Sequence, residues 1–280
     1  MRHCNRFVLA MLFFILFLPT NAMCEEKPLW EFGIGVGVIQ MPDYKGSNES
    51  RIYHLPYPYL VYRGGILQVD DQRITGQFFK TDRILLEFSG YGTAPVDSSK
   101  NSARAGMPDL DPTFELGPAL KIVLLHPMDR NHKLTLAMPV RAFFSTDFSS
   151  VRLEGWVFHP RMEYEKKDFI PRTGLELGVS VGPMFADRSY NDYFYTVNPA
   201  YATETRPAYS AGGGYSGMTA TLGLKKAYRQ LVFNAFISAD FLDGAVFQNS
   251  PLVKTKTSIM SGLSVSWIFL ESDKKVNTAK

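Results

Sequence analysis

Cysteine is nearly missing from this chain: two residues among 280, at positions 4 and 24. Two cysteines can build neither a disulfide framework nor a four-cysteine zinc site. Charge is also sparse, at 20% of residues, and close to balanced, with 30 Lys and Arg against 27 Asp and Glu. With no basic excess to neutralise a phosphate backbone, a nucleic-acid partner is excluded. Long apolar runs are lacking as well. Phe7–Leu18 stops at Pro19 and no later stretch approaches that of a spanning helix, which needs about 20 residues. A mean hydropathy of −0.09 is too polar for a bundle of membrane helices. What is plentiful is aromatic: 21 Phe, 14 Tyr and 3 Trp, a content that rules out intrinsic disorder.

Residues 1–24 have the form of a secretory signal. Arg2 and Arg6 precede the apolar run, Pro19 breaks it, and Ala22 and Cys24 offer small residues for cleavage. Removing that segment leaves 28 basic against 27 acidic residues. The chain is therefore expected outside the cytoplasm, as a soluble exported protein or as a β-barrel of an outer membrane.

From residue 30 onward the dominant signal is alternation with a period of two. Trp30, Phe32, Ile34, Val36 and Val38 alternate with Glu31, Gly33, Gly35 and Gly37. Leu175, Leu177, Val179 and Val181 alternate with Gly174, Glu176, Gly178 and Ser180. The same pattern marks strands at 30–40, 55–62, 66–70, 73–79, 83–91, 113–125, 132–144, 154–165, 172–185, 216–227, 230–241 and 258–269. Many of these exceed the usual soluble strand of about 5–6 residues and suit membrane strands of about 9–11. With the one exception of 71–72 the gaps alternate in kind, with 41–54, 92–112, 145–153, 186–215 and 242–257 long and 63–65, 80–82, 126–131, 166–171 and 228–229 short. Long external loops and short periplasmic turns are the signature of an outer-membrane barrel. The fold class is all-β: a transmembrane antiparallel barrel of twelve strands, or ten if 66–79 is one bent strand. Residues 25–269 form the barrel and 270–280 a polar tail.

Inward positions of these strands carry Glu115, Lys121, Arg141, Arg161, Glu163 and Glu176, expected as mutual ion pairs that fill the lumen or as a lining that tunes solute passage. Catalytic patterns are thin. Gly33, Gly35 and Gly37 lack the further glycine and the helix of a dinucleotide site. His54, His126, His132 and His159 show no metal-ligand spacing. His159 with Ser149 or Ser150 is the sole pair to nominate for lipid chemistry, and Asp109 with Asp111 reads as a stiff turn before a carboxylate metal site. No catalytic residue, metal or cofactor is expected. The loop Pro42, Asp43, Tyr44, Gly46 and Ser47 combines turn formers with an amphipathic ring, so it either caps the barrel or offers a contact surface.

Four segments carry a resemblance: Gly35–Ser47 (GVGVIQMPDYKGS), Leu55–Tyr59 (LPYPY), Gly106–Gly117 (GMPDLDPTFELG) and Asn249–Val253 (NSPLV). In these the chain resembles the MipA/OmpV family of outer-membrane proteins, named for the MltA-interacting protein. The resemblance implies a non-enzymatic barrel embedded in outer-membrane lipid. The family's namesake is described as a scaffold joining a murein lytic transglycosylase to a murein synthase, which makes those enzymes the expected partners. A small-solute channel is the alternative. The polar tail after Phe269 and the Tyr-rich segment Tyr190–Tyr215 depart from the family pattern.

Overall fold

A computed structural model describes residues 26–64, 67–69, 74–81, 83–125 and 131–277. The signal segment, His126 and the last tail residues lie outside them. Alternation builds a closed antiparallel barrel. Its strands are β2 (Trp30–Pro42), β3 (Ser50–Arg63), β4 (Leu67–Val69), β5 (Ile74–Lys80), β6 (Ile84–Thr93), β7 (Thr113–Leu125), β8 (His132–Thr146), β9 (Val151–Phe158), β10 (Arg161–Lys166), β11 (Leu175–Ala186), β12 (Gly214–Tyr228), β13 (Leu231–Phe241) and β14 (Thr257–Glu271). From β2 to β14 each strand pairs with its sequence neighbours except β9 and β10, which do not pair with each other; β14 returns to pair with β2, β10 pairs with β8 and β9 with β11.

Twelve wall positions result, because β9 and β10 share one. The single strand expected over 154–165 is kinked at His159–Pro160, where proline supplies no N–H for the ladder. Above the kink β9 pairs with β8 and β11; below it β10 does the same. Gly182 makes room for the kink, since a Cβ there would lie 2.0 Å from the Pro160 carbonyl oxygen. Within the expected segment 66–79 the described residues form two strands, β4 and β5, that pair with each other, and among the described residues β4 meets β3 at Tyr62 and Arg63.

The two faces differ as the alternation predicts. On β2, Ile34 and Val36 are exposed outward while Glu31, Gly33 and Gly35 are buried inward. Exposed large apolar side chains on a barrel's outer face are its lipid-contacting band. Aromatics gather at both rims of that band: Phe32, Trp267 and Phe269 at one end, Phe158, Phe185 and Tyr215 at the other, in edge and stacked contacts between 5.4 and 6.4 Å.

The first and last described segments lie at the rim of the short turns. There β1 (Glu26–Pro28) pairs with β15 (Lys275–Asn277), and the Leu29 N–H reaches the Lys274 carbonyl at 2.8 Å. The terminal strand runs to Glu271, past the expected boundary at Phe269, after a register shift between Ile268 and Leu270. At the opposite rim emerge the connections 43–49, 94–112, 147–150, 187–213 and 242–256. The order of lengths is not kept throughout: within the expected long gap 145–153 the structure has a tight outer turn, 147–150, and 167–174 on the other rim is longer. The loop 187–213 also holds an α-helix that no apolar period announces, α1 (Arg188–Tyr195), N-capped by the Asp187 carboxylate on the Tyr190 N–H.

Candidate functional site

The outer loops do not stand free; they fold into a lid with a core of its own. Tyr44, Val96, Leu110, Tyr195, Phe247 and Leu252 are buried together, drawn from four loops. Phe247 stacks on Tyr195 at 3.6 Å between centroids, and Tyr44 meets Tyr195 edge-on at 6.3 Å. The loop Pro42–Ser47, weighed above as cap or contact surface, is turned inward. Tyr44 is 5% exposed and its hydroxyl donates to the Leu252 carbonyl; Gly46 and Ser47 are buried; Asp43 accepts from Arg51 and Asn101. Burial pushes the Tyr44 phenol up to about 12.

Two arginines tie the lid together. Arg206 donates to the carbonyls of Ala103, Ala105 and Tyr201, and Arg104 to those of Phe194 and Pro108 and to the Ser98 hydroxyl. The planar guanidinium supplies several donors in fixed directions, which suits it to gathering loop carbonyls that no strand satisfies. Burial pulls the Arg104 pKa below the usual guanidinium value. Beneath the lid, Phe143 of β8 packs on Tyr190 of α1 at 4.5 Å, joining the lid to the barrel wall with Val157 and Met184.

Below this lies a polar lumen with unlike walls. One wall, from β6 to β10, holds the charges. Arg141 Nε donates to Glu115 Oε2 at 2.7 Å, and both side chains are under 10% exposed. Lys121 Nζ lies 2.8 Å from Glu87 and 3.7 Å from Glu163, which accepts from Arg161 at 2.7 Å. The register explains the reach: Lys121, Ala137 and Arg161 sit in one row, and alanine in the middle leaves space for charged side chains to meet above it. Glu176 shares the inward parity on β11 and stands opposite Lys225 of β12. The six inward positions taken from the alternation therefore line the lumen, and five of them sit in ion pairs. Such pairs fix geometry more than they add stability, because desolvation offsets most of the attraction.

The other wall is built of small residues. Ser266, Ser264 and Gly262 face Gly35, Gly37 and Ile39. The glycines serve aromatic neighbours: a Cβ on Gly35 would lie 2.4 Å from the Tyr57 ring, whose hydroxyl shares a hydrogen bond of 2.8 Å with Ser266. From the lid, Lys45 reaches down between the walls. Its ammonium donates to Asp240 at 2.7 Å and lies 3.4 Å from the Thr219 hydroxyl. Burial alone would lower the Lys45 pKa, and Asp240 more than offsets it, so the group is held above its usual value. Lys45 and Glu87 belong to this lumen and were not among the expected residues. Lys45 sits in a loop, where parity says nothing, and Glu87 lies on β6, whose alternation Gly90 and Gly92 blur.

The nominated catalytic pair is not assembled. Ser149 and Ser150 donate to Asp147 in an outer turn, whereas His159 sits at the wall kink with its N–H on the Pro139 carbonyl. Asp109 accepts from the Ser98 N–H and Asp111 pairs with Arg152 at 2.5 Å, so both serve the lid. Among the described residues no cluster of three or more His, Cys, Asp or Glu is placed to hold a metal.

Residues 34–269 match the family model described as MltA-interacting protein MipA. No curated protein matches the sequence. Solved structures that the fold is similar to include a bacterial polysaccharide outer membrane secretin, at 6% identity and a TM-score of 0.42, covering 86% of this chain and 99% of that one. They also include the outer membrane channel DcaP of Acinetobacter baumannii, at 8% identity and 0.32, covering 86% and 95%. The Ralstonia pickettii toluene transporter TbuX stands at 9% and 0.26, covering 90% and 72%.

Proposed function

From the premise that this chain belongs to the family of MltA-interacting protein MipA and is an outer-membrane β-barrel, we propose a non-enzymatic binding or scaffolding role. In this reading the barrel anchors cell-envelope enzymes, a murein lytic transglycosylase and a murein synthase, at its periplasmic rim. The family name supports the class of partner, and one feature of the fold supports the place. At the rim that carries the paired segments 26–28 and 275–277, the turn 167–174 is held by Asp168, whose carboxylate accepts the N–H groups of Arg172, Thr173 and Gly174. It presents Phe169 and Ile170 exposed beside Arg172. A pre-organised apolar tip with a charged flank lowers the ordering cost of docking. The paired clasp of β1 and β15 adds a second rigid element on the same rim.

A solute channel meets an obstacle that scaffolding does not. The lid core lies across the outer mouth, and ion pairs run along one wall of the lumen beneath it. The test is capture of purified lytic transglycosylase and murein synthase by the barrel in mild detergent. Scaffolding predicts retention by the wild type and loss of at least tenfold in affinity for Phe169→Ser with Ile170→Ser. Failure of the wild type to retain either enzyme refutes it. Stepwise conductance in planar bilayers that changes on neutralising Arg141 or Glu163 would favour the channel.

A further inference from the structure

We infer that the rim of the short turns carries a seat for the headgroup of an anionic phospholipid, formed by Lys166 and Arg229 on the lipid-facing side of the hairpins β10–β11 and β12–β13. The two ends of the barrel treat their cations differently. At the outer rim Lys45, Arg51, Lys100, Arg152, Arg188 and Lys256 each meet a carboxylate. At the rim of the short turns, among the described residues, Lys166 and Arg229 meet none and each lies over a ring instead. Lys166 Nζ stands 5.9 Å from the centre of the Phe169 ring, and the Arg229 guanidinium carbon 5.5 Å from that of Tyr228. A ring attracts the cation but leaves its charge uncompensated.

Parity sets the pair on the lipid side. Lys166 stands in register with Leu177, on the same face of β11 as the exposed Val179 and Val181. Tyr228, beneath the Arg229 guanidinium, continues the outward series of Met218 and Leu222 on β12. Only β11 separates β10 from β12, so the two cations stand about 10 Å apart at two strand spacings and bear on neighbouring headgroups. Their height is fixed as well. Gln230 accepts from the Trp267 ring N–H at 3.4 Å, and Trp267 is 51% exposed beside Phe269. Indole rings of a barrel's rim sit at headgroup level. The Arg229 backbone is left-handed, with φ at 53°, a conformation that glycine or asparagine adopts more readily. An arginine kept there points to a use for its side chain.

The acids of the same hairpins are turned away from this face. Glu165 and Glu176 have inward parity, opposite Lys133 and Lys225, and Asp168 is taken up by three N–H groups of its own turn. No outward position of β10–β13 is acidic. A phosphodiester brings the complementary charge, and a guanidinium matches two of its oxygens in a bidentate fork. A headgroup that also bears an ammonium brings like charge to the same place, which sets phosphatidylglycerol above phosphatidylethanolamine. An acidic protein face would approach from beyond the rim, whereas Lys166 and Tyr228 lie on the side that lipid covers.

The experiment uses the full barrel with Trp30→Phe and Trp156→Phe, which leaves Trp267 as the single tryptophan. It is reconstituted in phosphatidylethanolamine bilayers doped with brominated phosphatidylglycerol or, separately, with brominated phosphatidylethanolamine. Bromine quenches by contact, so the ratio of the two quenching strengths is the preference of the site beside Trp267. A basic side chain at an anionic lipid is worth about fivefold, so with both cations in place the ratio should be about fivefold or more at low salt. It should fall below twofold in Arg229→Asn with Lys166→Gln, and also in 1 M salt, where the Debye length is about 3 Å. Asparagine accepts the left-handed backbone, so that variant removes the guanidinium without straining the turn. The outer-rim Lys256→Gln should keep the full ratio. A ratio below twofold with both cations in place overturns the seat, as does a fivefold ratio that survives the double variant. A ratio below twofold together with retention of polyglutamate that the double variant loses also overturns it, in favour of an acidic protein partner. Each single variant should lower the ratio by itself, which keeps the test standing if the double variant fails to fold, as judged by heat-modifiable migration on a denaturing gel.

Discussion

Phe247→Ala should open the lid while leaving the barrel standing. Phe247 is 1% exposed, lies flat on Tyr195 at 3.6 Å and is buried with Leu242 and Leu252. Truncating a buried Phe to Ala costs about 3–5 kcal/mol, part of it transfer and part the cavity left behind. The lost ring contact accounts for about 0.5–1.5 kcal/mol of that. At about 1.4 kcal/mol per factor of ten, the open lid becomes more populated by roughly two to three and a half powers of ten. The reporter is trypsin cleavage after Arg104, a side chain clasped by the carbonyls of Phe194 and Pro108 and by the Ser98 hydroxyl and released only when the lid opens. Where reclosing outpaces cleavage, the cleavage rate follows the open population. Phe247→Leu should lie between the wild type and the alanine variant, and the lipid-facing Phe241→Ala should match the wild type. Cleavage of Phe247→Ala within twofold of wild type would refute the lid core as the element that closes the mouth.

Other outcomes follow from the same geometry. Arg141→Ala strands the buried Glu115 and should cost about 3–5 kcal/mol in urea unfolding followed by gel mobility, while Arg141→Met with Glu115→Leu recovers most of it; a single variant as stable as the double would sink the ion-pair account. Gly35→Ala drives a methyl into the Tyr57 ring and should cost about 1–3 kcal/mol, with Tyr57→Leu restoring the midpoint. Acid should loosen the lid late. Hydrogen bonds from Ser102 hold the Glu49 pKa down, and those from Ser99 and Lys100 hold Asp97 at about 2. Their contribution is present above the unfolded carboxylate range and is lost as pH falls through the folded values. Protection factors of the amides in 94–112, corrected for the intrinsic pH dependence of exchange, should therefore be flat from neutrality to about pH 5 and fall below about pH 4; a fall beginning near pH 6 would contradict it.

The wall was legible in the sequence because alternation is a local property: Trp30 to Val38 announce their two faces with no knowledge of a partner strand. The inward charges were legible for the same reason, since parity placed Glu115, Lys121 and Glu163 on one face and the register then brought them together. The kink at His159–Pro160 was written only as a proline inside an otherwise regular run. The lid was not legible. Its core is drawn from Tyr44, Val96, Tyr195 and the pair Phe247 and Leu252, on four loops separated by whole strands, and no period links them. The available signal was compositional: large apolar residues such as Leu242, Phe247 and Leu252 in loops that face water need somewhere to be buried. Tyr44 pointed to a contact and found one, inside the chain itself.

The clasp between Glu26–Pro28 and Lys275–Asn277 gives the barrel a cyclic order. With β14 beside β2 and the two ends clipped together, each wall position has its hairpin partners as neighbours on either side, and no strand is first or last in space. A chain joined through the clasp and opened at 167–174 would preserve each of those neighbour relations. The fold is in that sense a property of the ring, and the point where the chain starts is a choice that the ring does not record.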